Sequence, residues 1–565
     1  LQAPTAAPVA DAVGDAFSGT NVQEQGVDEP DVVKTDGRRV FVLAGAKLLA
    51  YDVTGDTPRL LGSLAIAGSP QEILLRGERL LVIGSTAPAG VGGGDVAVGA
   101  PVSSIALPYP VVSRTQLTEV RVSDPAAMTV SRTLSVDGQY VSGRLTGGTA
   151  RVVLNTPPDL SEAPSATGAG ALIPQTTIRS NISRRTFRRP LVGCSSVRRP
   201  AAYSGLDLLS VMTIDLDRGL YSVDRDAVIA GAQVVYASPT GLYIASQRYV
   251  PSLDAPDDVP ARMTTEIHRF DTSDPARTTY RSSGSVPGFV LNQFALSEDR
   301  GALRVATTEE PLWMAGAQQR DAESGVSVLR EEGSKLATVG RVGGLGKGER
   351  IYAVRFLGDT GYLVTFRQVD PLYTLDLSDP RAPKAVGELK VAGYSAYLHP
   401  VGDGLLLGVG QDASEQGIRQ GPQVSLFDVS DLKAPKRLQQ RVLGDQGAST
   451  AAEWDHHAFL WWAPERLAVL PLQQYDTSGP VAPGTPIPLA RRAAATPFSG
   501  AVGLRVQRGG ITEAGRVTHG TGDAAAVVRR SLVAQGRLLT VSDRGIAASR
   551  LSDLGPLGFS AFPAG

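Results

Sequence analysis

The chain has 565 residues, with 55 Lys and Arg against 56 Asp and Glu, 63 Gly, 38 Pro and a single cysteine. That length exceeds what one ordinary hydrophobic core supports, so several domains or one repeat array are expected. Balanced charge gives no bulk electrostatic case for nucleic acid or an anionic membrane as partner. One cysteine excludes an intrachain disulfide, and no apolar run is long enough for a membrane span.

Residues 1–19 are Ala/Pro-rich and read as a flexible leader, as at the start of a mature secreted chain. From 20 to 562, strand-length hydrophobic runs recur about every 45–65 residues, each group ending in a polar turn. The first unit covers 30–66, and the second starts at QEILLRGERLLVIGS and resumes at QLTEVRVSDPAAMTVSRTL. A third unit holds SGRLTGGTARVVLN and LLSVMTIDLDRG, a fourth AQVVYASPTGLYIASQ and TTEIHRFDTSDP, and a fifth ALSEDRGALRVATTEE and SGVSVLREEGSKLATVGRV. The sixth, IYAVRFLGDTGYLVTFRQVDPLYTLDLSDPRAP, shows the pattern most cleanly. Units seven, eight and nine follow from YSAYLHPVGDG, DHHAFLWWAPERLAVLPLQQ and VVRRSLVAQGRLLTVSDRG. Four short strands per period predict an all-β fold, a single β-propeller of four-stranded blades. The blades number nine by this count, or eight if one is split between the termini.

An Asp-x-Ser-Asp-Pro turn recurs as DTSDP (271–275), DLSDP (376–380), DVSDL (428–432) and the shortened VSDP (122–125). Asp and Ser side chains accept backbone N–H bonds two residues on and Pro fixes φ, so the motif reads as the link from third to outer strand. Clustered carboxylates are also ligands for Ca²⁺, the one cofactor the sequence leaves open. Gly/Pro-rich insertions at 86–112, 156–177 and 475–500 cannot bury enough apolar area to fold alone, and blade geometry sends them to one face. After the second insertion comes RRTFRRP, where Arg184, Arg185, Arg188 and Arg189 form either a solvated loop or a patch for an anionic partner.

The stretch 344–431, with TNVQEQGVDEPDVVKTDG (20–37), NQFALSEDRGALRVATT (292–308) and DHHAFL (455–460), resembles the bacterial secreted proteins with a C-terminal β-propeller distantly related to WD-40 repeats. The resemblance runs over roughly residues 20–550 and implies an extracytoplasmic protein, secreted or associated with the cell surface. It implies no reaction or ligand. DHHAFL departs from the family pattern, which has Lys after the first His.

Inner strands of a propeller run the same way beside the channel, so residues at their starts converge on one rim although far apart in sequence. Asp28, Glu29, Glu72, Asn292, Gln293, Glu349, Arg350, Tyr394, Ser395, Asp455, His456 and Arg529 stand at those starts. They form either a ligand-binding rim at the channel mouth or a set of caps that pair between blades. In an extended strand, His456 and His457 point to opposite faces and cannot share a metal, so an Asp455–His hydrogen bond is the expected use. His399 reads as an interior histidine, His268 and His519 fall on outer strands or turns, and five scattered histidines speak against structural zinc. Trp461 and Trp462 alternate toward the two neighbouring blades as core.

No G-x-S-x-G elbow, H-E-x-x-H helix or Walker loop is present, and SDLK (430–433) lies on a turn repeated without Lys elsewhere. The expected function is therefore a non-catalytic binding or scaffold module that presents its loop-rich face to a protein or surface polymer. Two alternatives remain open. One is a hydrolase or lyase using Asp28, Glu29, Asp455 and His456 as acid–base groups at the channel mouth, and the other a structural subunit of a cell-envelope complex.

Overall fold

The computed structural model describes residues 17–86, 114–158, 173–200, 202–221, 223–250, 262–310, 321–366, 370–414, 418–475, 497–520 and 526–563. Nearly all of the proposed leader and most of the three Gly/Pro-rich insertions lie outside the described residues.

Short alternating runs broken by Gly and Asp turns form antiparallel meanders, and nine of them follow one another. Numbered as blades, they span 33–65, 69–137, 139–229, 234–287, 296–345, 350–391, 394–442, 448–517 and 528–561. Blades 4 and 5 also touch edge to edge through one parallel pair, Ser283 with Lys335. Among the described residues no blade is split between the ends, so they form nine blades rather than eight.

Each hydrophobic cluster lies between two neighbouring blades or spans three. Leu48 and Phe41 of blade 1 meet Ile73 and Val82 of blade 2, and Leu81 and Leu117 meet Val152 and Met212 of blade 3. The series continues around the ring. Tyr51 and Val40 of blade 1 pack on Leu539 and Ile546 of blade 9 and close it. Each fully buried Val, Leu or Ile contributes roughly 1.5–3 kcal/mol, so the ring is held by apolar contact rather than covalent staples. Trp461 packs in the interface of blades 7 and 8 and Trp462 in that of blades 8 and 9, as strand alternation requires.

The recurrent turn works as its chemistry predicts. Asp271, Asp376 and Asp428 each accept the N–H and hydroxyl of the Ser two residues on, while Asp274, Asp379 and Asp431 accept a backbone N–H two residues on. The turn also docks on the preceding blade. A Cβ at Gly387 of blade 6 would overlap the Leu432 carbonyl of the blade 7 turn, and Gly62, Gly340 and Gly515 stand likewise against the turns of blades 2, 6 and 9. These outer-strand glycines admit the neighbouring backbone.

Connections alternate ends in a meander, so turns between first and second strands share one face of the disc with those between third and fourth. Connections between second and third strands share the other face with the blade-to-blade connections. The described strand ends Thr86 and Arg114, Val250 and Arg262, Glu309 and Glu323, and Gln474 and Phe498 are those of second and third strands, hence on one face; the insertions between them lie outside the described residues. In blade 3 the same connection carries the hairpin Gln175–Ser180 and Arg185–Pro190, which folds back onto Thr129–Asp137 and widens blade 2 to six strands. Arg185, Arg188 and Arg189 are thus exposed on an edge strand rather than in a loop, with Arg184 in the turn before them at φ 54°.

Candidate functional site

Before blade 1 the chain walks around the inside of the channel. Phe17 pairs with Ala534, and Ser18 exchanges hydrogen bonds with Val533 of blade 9. Asn21 donates to Tyr397 Oη of blade 7 (3.0 Å) and to the His456 carbonyl of blade 8 (2.7 Å). Gln23 donates to the carbonyls of Gln293 and Leu296 at blade 5, and Arg355 of blade 6 donates to the Gln23 carbonyl. Glu24 accepts from Tyr236 of blade 4, Val27–Asp28 pair with Leu145 and Thr146 of blade 3, and Asp31 pairs with Ile73 of blade 2. Residues 17–31 therefore cross the channel and give hydrogen-bond partners to inner-strand groups that include Tyr397, Arg355, Tyr236 and the Leu296 carbonyl.

The expectation that Asp28 and Glu29 open the first inner strand is corrected by this path. They belong to the crossing segment, and the inner strand of blade 1 is only Val33–Thr35. The segment leaves two cavities, one of ≈ 330 Å³ that Asp28, Asp31, Lys34 and Arg530 help to line, and one of ≈ 310 Å³ around Glu29, Glu72, Arg144, Gln293 and His456. His457 lines both.

Blade 8 brings its histidines inward because its inner strand is broken. Ala448–Ser449 and Leu460–Trp462 pair with the second strand, and two 3₁₀ turns, Ala451–Glu453 and His456–Ala458, lie between them. The Asp455 side chain caps the second turn by accepting from His457 N (3.0 Å). In this turn the two imidazoles lie 4.1 Å apart by ring centroids and reach the same carboxylate, so the argument from an extended strand fails here. His456 Nε2 is 3.0 Å from Glu29 Oε2, and His457 Nε2 is 3.3 Å from the same oxygen. Gln293 Nε2 donates to both Glu29 oxygens at 3.0 and 3.1 Å.

The electrostatics follow from burial. Desolvation pushes the Glu29 carboxyl up, but Arg144, His456 and His457 outweigh it and hold it well below the usual range. Burial and the charge of His457 lower His456, whereas Asp31 and Glu29 overcome burial and raise His457. Glu72 is raised by burial, with its bond from Tyr140 (2.6 Å) offsetting part of the effect. On the other side of the segment, Arg530 Nε lies 2.8 and 2.9 Å from the two Asp31 oxygens, and its Nη2 lies 2.9 Å from Asp455 Oδ2.

Of the residues expected at the rim, Glu29, Glu72, Asn292, Gln293, Asp455 and His456 meet at the second cavity. Asp28 faces the first cavity, paired with Lys34 at 2.7 Å. Arg350 pairs with Glu310 outside the cavity, and Glu349 accepts from Thr365. Tyr394 is buried against Tyr352 and Phe366, and Ser395 is buried beside it. Arg529 is exposed, and its neighbour Arg530 makes the inward contacts. Asp31, Arg144 and Arg530 were missed; DEPD (28–31) offered a signal for Asp31, whereas nothing local marks the two arginines. His399 and His268 are interior, at 1% and 0% exposure, and His519 is held between Ser542 and Thr540 at 2.8 Å each.

Among known proteins, an uncharacterised protein of Archaeoglobus fulgidus is 29% identical over 552 residues, covering 83% of this chain and 78% of that protein. An uncharacterised protein of Methanocaldococcus jannaschii is 43% identical over 189 residues, covering 34% of this chain and 28% of that protein. The crystal structure of Saccharomyces cerevisiae Sqt1 covers 88% of this chain and 98% of its own at 8% identity, with a TM-score of 0.34, too low to bear on the fold. These two curated relatives are archaeal, so the bacterial part of the resemblance finds no support in them, nor do secretion and a C-terminal placement. A model described as "Beta propeller domain" matches residues 17–554, which takes in the crossing segment together with eight blades and most of the ninth, and the chain belongs to that family.

Proposed function

We propose that the protein is a non-catalytic binding disc outside the cytoplasm, on the cell surface or secreted, which receives a surface polymer or protein on its insertion-bearing face. The observation that carries this reading is the crossing of the channel by residues 17–31, which leaves at the mouth a cavity whose central carboxylate, Glu29, is already held by His456 and Gln293. Trp454, 71% exposed, stands at that cavity beside Glu453 and Asn292 and offers an indole face among polar groups. Such a combination suits a sugar or an extended polar chain, for which aromatic stacking supplies area and the side chains supply hydrogen bonds.

The test is calorimetric titration of the intact protein with soluble fragments of cell-surface polysaccharide and with solubilised surface proteins. Binding that weakens about tenfold or more in Trp454→Ala, equivalent to about 1.4 kcal/mol, supports the reading. Binding indifferent to Trp454, or confined to the opposite face in crosslinking, contradicts it. The hydrolase or lyase reading keeps one supporting observation, the raised carboxyl of Glu72 in the cavity that His456 also lines. Release of a cleaved product, abolished in His456→Gln, would favour it.

A further inference from the structure

We propose that Glu29, His456 and His457 form a site for a divalent transition-metal ion of the zinc type, which ties the channel-crossing segment to blade 8. The donor atoms already converge: both imidazole Nε2 atoms lie 3.0 and 3.3 Å from Glu29 Oε2, and all three fall within 4.8 Å of one another. Tetrahedral zinc with bonds of about 2.0–2.1 Å spaces its ligand atoms about 3.3 Å apart. An ion can therefore enter with small side-chain movements.

A second observation is independent of that spacing. His457 Nε2 is buried and, although 3.3 Å from the Glu29 carboxylate, makes no hydrogen bond to it. His268 Nε2 is buried without a hydrogen bond too, but among the described residues only at His457 does such a nitrogen face a carboxylate and a second imidazole, where an ion would complete it.

The surroundings supply the second layer that ligating histidines ordinarily have. Asp31 and Asp455 carboxylate oxygens lie 3.8 and 3.9 Å from His457 Nδ1, and Asp31 is itself fixed by Arg530. Gln293 orients the Glu29 carboxylate. The second cavity, which Glu29, His456 and His457 all line, gives access and room for a water as fourth ligand. Two imidazoles and one carboxylate suit zinc, cobalt or nickel, whereas Ca²⁺ and Mg²⁺ take oxygen ligands.

The test uses the intact chain, stripped with a chelator, dialysed against zinc and desalted, with bound metal measured by mass spectrometry and cobalt absorption as a second readout. The expected result is one ion per chain, with a melting temperature that rises with zinc and falls again with chelator. His456→Gln and His457→Gln, each shown folded by circular dichroism, lose the ion. Asp31→Asn, acting through His457, weakens binding about 10–100-fold. Folded wild-type protein that retains no stoichiometric metal overturns the proposal, as does equal uptake by the histidine variants.

Discussion

Replacing Arg530 by Ala isolates the chemistry that holds the crossing segment. The guanidinium makes two bonds to Asp31, which is 6% exposed, and one to Asp455. Its removal strands a buried carboxylate beside Glu29 and Glu72, and breaking a buried pair from one side costs about 3–5 kcal/mol. Unfolding entropy of about 2.1 cal/mol/K per residue makes about 1.2 kcal/mol/K for a ring of this length that melts as one unit. The expected fall in Tm is then about 3–4 °C. Arg529→Ala, one position earlier and exposed, is the internal control and stays within about 0.5 kcal/mol. Adding Asp31→Asn to Arg530→Ala removes the stranded charge, so the double variant loses less than the sum, with a coupling of about 1–3 kcal/mol. Scanning calorimetry with a denaturant series reads the wild type, Arg529→Ala, Arg530→Ala, Asp31→Asn and the double variant. Equal Tm for the Arg529 and Arg530 variants, or strict additivity with Asp31→Asn, would refute the reasoning.

Acid should unfold the protein in two windows. Burial holds His268 and His519 at about 4 in the fold, against an ordinary 6.5. The unfolded chain therefore binds their protons first, and stability full above about pH 6.5 is lost toward pH 4, by up to about 3 kcal/mol per group. His268→Gln and His519→Gln should flatten that slope in pH-dependent denaturation. Glu29 is held below the ordinary 4.5, so its contribution is complete above that pH and fades as pH falls further. Gly387→Ala forces a Cβ onto the Leu432 carbonyl and should cost about 1–3 kcal/mol, while Gly509→Ala, with nothing within 4 Å, should be near neutral in the same melt. Asn21→Ala removes the donor to Tyr397 and the His456 carbonyl, costs about 1–3 kcal/mol, and should speed limited proteolysis before residue 32.

The blades were legible because their signals are local: alternation, Gly turns and the Asp-Ser-Asp turn each act within a few residues. Counting them gave nine blades or eight, and the first and last units decide for nine. The channel was not legible in the same way. Residues 20–31 carry strand-like Val27 and polar Asp28 and Glu29, and nothing local says that they cross an axis instead of opening blade 1. His456 and His457 look like strand neighbours until Asp455 caps a 3₁₀ turn, a choice decided by the break in blade 8. Arg530 was overlooked in favour of Arg529 for a related reason. A bulge between Val528 and Arg530 shifts the register by one residue, which reverses the side chains that follow. The outer-strand glycines carry no local mark, since their role depends on a neighbouring blade.

Residues 17–31 hold their place across the channel by pairing with its inner strands, and hydrogen exchange read by mass spectrometry on the intact protein tests this most directly. The amides of Ser18, Val27 and Asp31 donate to backbone carbonyls and that of Gln23 to the Glu29 carboxylate. Peptides covering 17–31 should exchange as slowly as the inner strand Tyr394–Gly402 of blade 7. Exchange of 17–31 within seconds, while Tyr394–Gly402 stays protected, would mean that the channel is open and the account is wrong.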